Sequence, residues 1–89
     1  MDGRPARPEE IEHLWTVKTA TIREVSKKLT VAILTLGPWG PKNRQFQAVA
    51  QITKEEYVRI QRYGGQLFWD GRKAMAAYDD GTGIVYVIP

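Results

Sequence analysis

Leu29-Thr-Val-Ala-Ile-Leu-Thr-Leu-Gly-Pro-Trp-Gly-Pro-Lys-Asn-Arg-Gln-Phe-Gln-Ala-Val-Ala-Gln-Ile52 is the stretch that decides the fold. Residues 29–36 are mainly apolar on both alternating sets, the pattern of a central strand. Residues 45–52 alternate cleanly. Phe46, Ala48, Ala50 and Ile52 point one way, and Gln45, Gln47, Val49 and Gln51 the other. The first set predicts a core face. The Gln-rich set predicts a face turned to water or to a polar ligand. Between them, Gly37, Pro38, Gly40 and Pro41 fit neither a ladder nor a helix, so the chain must loop over the surface there. The two runs read as a β-hairpin with a projecting tip. That tip places Trp39 in or near solvent beside Lys42 and Arg44, with a lid folded onto its own hairpin as the alternative for Trp39.

Working outward, Thr53 and Glu56 form a capping box ahead of Tyr57, Val58 and Ile60, and Gly64 supplies a left-handed stop. One firm helix over 53–63 follows. Towards the N-terminus, the Thr and Val density of residues 15–25 predicts a strand. A helical reading of the same residues has a partial apolar face, interrupted by Lys18. Ser26, Lys27 and Lys28 make a turn. Towards the C-terminus, residues 66–69 and 72–78 form strands around an Asp70-Gly71 hairpin turn. Residues 79–83 are a further turn, and 84–88 a final strand too apolar for a bare edge. Pro8 and three Glu begin a short N-terminal helix over 8–14. The expected fold is α+β: one mostly antiparallel sheet of five or six strands with helices on one face. Residues 1–7 read as a flexible arm and 8–89 as a single globular domain.

The 89 residues carry a net charge of +3, but the charge is uneven. Between Leu14 and Lys73, eleven bases face four acids; both ends are acidic. A basic middle favours an anionic partner, nucleic acid being the commonest. Lys18, Arg23, Lys42, Arg44, Arg72 and Lys73 lie on expected strands or hairpin tips, near Trp39, Trp69 and the amide of Gln47. Cations that follow phosphates and rings that stack on bases are the pairing that holds single strands. These nine residues are the candidate nucleic-acid-binding set. Phe68, Trp69 and Tyr86 have a core reading as well, since aromatics dominate small cores.

Other chemistry finds little support. The single His13 and the absence of Cys leave no zinc site of the usual kind within one chain. Ser26 is the only serine and lacks a nucleophile elbow. The Asp79–Gly83 segment has too few oxygen ligands for a calcium loop. No glycine motif matches a phosphate cradle. No catalytic residue, metal or cofactor is therefore expected. No apolar run reaches the roughly 18 residues of a membrane span, and residues 1–8 do not read as a signal peptide. A cytosolic setting is the default.

Lys42 to Tyr63, a basic hairpin followed by a capped amphipathic helix, resembles in outline the positive-cofactor family of single-strand DNA-binding proteins. The likeness covers about a quarter of the chain without a specific signature. This chain departs from that family by continuing with two or three strands after its helix. The sequence thus supports a small non-enzymatic nucleic-acid-binding protein, preferring single strands to duplex and forming a homodimer. The alternative is a protein-interaction module that regulates or inhibits a larger complex, with Trp39 as its anchor.

Overall fold

Among the described residues, seven antiparallel strands form one sheet that curls into a half-barrel around a single α-helix. This is a computed structural model, and it describes residues 3–39 and 43–89. In chain order the elements are β1 (Arg4–Pro5), a 3-10 helix (Pro8–His13), β2 (Leu14–Glu24), β3 (Leu29–Gly37) and β4 (Phe46–Thr53). Then follow α1 (Lys54–Arg62), β5 (Gln66–Trp69), β6 (Ala74–Asp79) and β7 (Val85–Ile88). Across the sheet the order is β1-β7-β6-β5-β2-β3-β4.

The α+β class stands, but the count of five or six strands is corrected to seven. The added strand is β1, inside the segment expected to be a flexible arm. Arg4 lies opposite Val87 and Pro5 opposite Tyr86, and Ala6 donates its N–H to the Val85 carbonyl at 2.8 Å. Pro5 is tolerated because β1 is an edge strand, where one side of the ladder needs no donor. The apolar β7 is consequently interior, held between β1 and β6.

The capping box of α1 forms as its residues dictate. Glu56 donates its N–H to Thr53 Oγ1 at 3.1 Å, and Thr53 donates its N–H to Glu56 Oε1 at 3.0 Å. Gly64 follows at φ 85°, a conformation that favours glycine. Ile60 is the buried residue of the helix, and Tyr57 and Tyr63 pack beside it. Val58 is exposed.

Two apolar clusters lie on opposite faces of the sheet. The larger sits under α1 and joins Trp15, Leu34, Leu36, Ala50, Ile60 and Leu67. The smaller joins Leu14, Phe68, Ala77 and Val87, with Ala6 and Trp39 packed against it. Phe68 and Trp69 point to opposite faces as a strand requires. Both faces are covered there, so Phe68 is buried and Trp69 half-buried. Trp39 is likewise half-buried, corrected from a solvent-facing tip. It closes the apolar patch that α1, on the other face, leaves open. Gly40, Pro41 and Lys42 lie outside the described residues.

β3 also departs from expectation. It is central, between β2 and β4, yet only one of its faces is covered. Thr30, Ala32, Leu34 and Leu36 are buried, whereas Ile33 on the other face is 42% exposed. An apolar side chain alone does not create a second layer; another element must arrive to cover it.

Candidate functional site

The uncovered face of β2, β3 and β4 is a grid set by strand register. Thr19, Thr35 and Gln47 form one cross-strand row, and Thr21, Ile33 and Val49 the next. Arg23, Val31 and Gln51 form the third. Opposed residues on neighbouring strands lie about 5 Å apart, so each row is a contiguous strip. A register shift between Val17 and Thr19 turns Lys18 outward beside the grid. Its aliphatic stem crosses Gly37, where a Cβ would stand 2.6 Å from Lys18 Cε. Any side chain at 37 would push the Lys18 stem aside. Lys18 and Arg23 then mark the two ends of the face, about 15 Å apart at the rise of a strand.

The electrostatics of the grid are one-sided. Its named positions are hydroxyl, amide, aliphatic or cationic; no carboxylate is among them. Glu24, the nearest acid in sequence, is opposite the buried Thr30 and pairs with Lys54 at the start of α1. Lys18, Arg23 and Gln47 of the expected set are thus brought onto one face. Thr19, Thr21 and Thr35 join them, although only the period-two alternation of their strands could have signalled it.

Arg72 and Lys73 lie at the β5–β6 turn. With Gln51, Ile52, Glu56 and Pro89 they line a cleft of about 300 Å³. Gln51 belongs to both the cleft and the grid, so this second pair of cations adjoins one corner of the sheet face. The turn itself is fixed by Asp70, whose Oδ1 accepts the N–H groups of Arg72 and Lys73, both at 2.8 Å. These bonds, that from Lys73 first, hold the Asp70 carboxyl below the usual carboxylate range.

Arg44 and Trp69 are separated from that face. They line a cleft of about 410 Å³ together with Glu12, His13, Trp15, Phe46, Asp70 and Gly71. The Arg44 guanidinium carbon stands 5.3 Å from the Trp15 ring centre and 5.1 Å from that of Phe46. Those two rings meet edge to face at 4.7 Å. Trp15 carried no signal for this role, because a Trp at a strand start reads as core. Lys42 is outside the described residues, and Trp39 packs on the smaller cluster. The eight described members of the expected set therefore do not form one continuous platform of stacked rings.

Among the described residues, no three His, Asp or Glu side chains converge as a metal site would need. No helix among them is long and apolar enough to cross a membrane. Comparison with protein-family models, curated proteins and solved structures finds no match.

Proposed function

We propose that the protein is a non-enzymatic nucleic-acid-binding module whose contact surface is the open face of β2, β3 and β4. One observation carries this reading: Lys18, Arg23, Gln47 and Gln51 share a face whose grid positions hold no carboxylate. Phosphate oxygens favour such a face, since each neutralised charge releases counterions. The amides of Gln47 and Gln51, and the hydroxyls of Thr19, Thr21 and Thr35, offer donors and acceptors to base edges. Those edges are open in single strands, which is why unpaired nucleic acid is preferred to duplex. Arg72 and Lys73 extend the cationic path past Gln51.

Anisotropy of a labelled oligothymidine at rising salt tests the reading. Affinity should fall on a log–log plot, and Lys18→Glu with Arg23→Glu should weaken binding at least about tenfold. Loss of two phosphate contacts should flatten the salt slope by about 1.4. Retention of full affinity by the double variant would sink the proposal.

The second reading is a protein partner. It rests on Ile33 and Val49, which face each other at the centre of the grid at 42% and 63% exposure. It rests also on β2, where β5 pairs with Leu14–Thr16, Val17 donates its N–H to the Gly65 carbonyl, and Thr19–Glu24 pair, among the described strands, with β3 alone. A strand open on one side invites a further strand, in the simplest case from a second copy. Sedimentation that stays monomeric at high concentration removes the homodimer. Charge reversal at Lys18 and Arg23 discriminates the two classes. It should weaken nucleic-acid binding at least about tenfold, whereas with most protein partners it should mainly alter the association rate.

A further inference from the structure

The cleft between Trp15, Phe46 and Trp69 does not suit an anion. Its charged lining is Glu12, Asp70 and the protein's own Arg44, and His13 Nε2 lies 3.6 Å from Glu12 Oε1. In a chain of net charge +3 this is a place where carboxylates and aromatic rings converge. The faces of such rings carry negative potential and attract cations held within about 6 Å. Arg44 satisfies that condition on two rings at once, at 5.3 and 5.1 Å. The rings are held firmly. Trp15 is 4% exposed, belongs to the larger core cluster and meets Phe46 edge to face. Asp70 is held by the two backbone N–H groups of its own turn. Arg44, by contrast, is an exposed residue of the segment before β4. A firmly held aromatic face, with Asp70 and the exposed Glu12 at its rim, is therefore covered by a side chain from a connecting segment.

We propose that this cleft is a binding site for an organic cation of the guanidinium or alkylammonium type, and that Arg44 occupies it as an exchangeable internal ligand. The entering cation would lie over Trp15 and Phe46 beside Trp69, with Glu12 and Asp70 balancing its charge. Arg44 would swing out as it enters. The site is independent of the open sheet face, so either assignment can fail without the other.

The test reads the indole N–H signals of Trp15, Trp39 and Trp69 by NMR. Wild type and Arg44→Ala are titrated with methylguanidinium chloride and with tetramethylammonium chloride, against sodium chloride at equal ionic strength. Saturable shifts at Trp15 and Trp69 but not at Trp39 are expected, tighter by about tenfold in Arg44→Ala, where no internal cation competes. Adding Glu12→Gln to Arg44→Ala should weaken binding again. Binding seen only in the Arg44→Ala protein also supports the proposal, since the internal ligand then simply wins in wild type. If Arg44→Ala loses its dispersed spectrum, Arg44→Gln takes its place. Shifts no different from those of sodium chloride in both proteins overturn the proposal, as do shifts confined to Trp39. An arginine-centred pentapeptide that binds more tightly than methylguanidinium identifies a protein side chain as the source of the cation. Equal binding identifies a free small molecule.

Discussion

Glu10 shows how much one residue can hold. Arg4 donates to both of its carboxylate oxygens, at 2.6 and 2.7 Å, and Arg7 adds a backbone N–H at 2.8 Å. The Arg4 fork is the main reason its pKa drops from 4.5 to about 2, against a burial that pushes the other way. Because the folded value lies below the unfolded one, the bond stabilises the native state fully above pH 4.5. That contribution is lost as pH falls from there through about 2. Urea midpoints should therefore drop across this acid window, and Glu10→Gln should remove that part of the drop. At neutral pH the same variant should cost about 1.5–3 kcal/mol, the range for hydrogen bonds to charged groups. The lower end applies, because the Arg4 side chain is 35% exposed and screened by water. Glu10 was legible as a partner for the helix end, where it accepts the Arg7 N–H, but its fork to Arg4 was not, because it depends on Arg4 being fixed in β1 by β7.

Elements whose signals are local were legible. The α1 cap lies within four consecutive residues, and the structure places each bond where Thr53 and Glu56 predict it. Thr53→Ala should cost about 1 kcal/mol in a urea melt, while Thr53→Ser should cost much less. The strand reading of residues 15–25 also holds, as β2 over Leu14–Glu24, against the helical alternative. β1 was not legible, because a strand of two residues exists only through partners some eighty positions later. The open face of β3 was hidden for a different reason. Val31 and Ile33 are as apolar as buried residues, and the lack of a covering layer is a property of the assembled sheet. Trp39 belongs to the same class. Its loop starts one residue later than read, because Gly37 closes β3 opposite Thr16 instead of leaving the ladder, and its destination depended on a cluster built from four other elements.

For the whole molecule, the sheet is a partition between two cores of unequal size. Leu67, fully buried in the larger one, should cost about 2–5 kcal/mol when cut to Ala. Trp39→Ala should act as a packing variant. Half-burial of its ring makes a loss of about 1–2 kcal/mol reasonable. In a domain of this size, each kcal/mol lowers the thermal midpoint by about 4–8 °C. Oligothymidine affinity should be unchanged by it, since the ring packs on the smaller cluster, on the same side of the sheet as the grid but not among its rows; a parallel loss of affinity would return Trp39 to the binding surface. The α1 side of the sheet also carries an ordered row of rings beside the larger core. There Tyr63 at the end of α1 stacks on Tyr78 of β6 at 4.8 Å and 14°, and Tyr78 on Tyr86 of β7 at 5.3 Å and 21°. Three phenol chromophores in a fixed, handed pile have coupled transition dipoles. Their near-ultraviolet circular dichroism should exceed that of isolated tyrosines and collapse in Tyr78→Leu. The pile spans one helix end and two strands, so the molecule carries its own optical gauge of whether the helix is seated on the sheet.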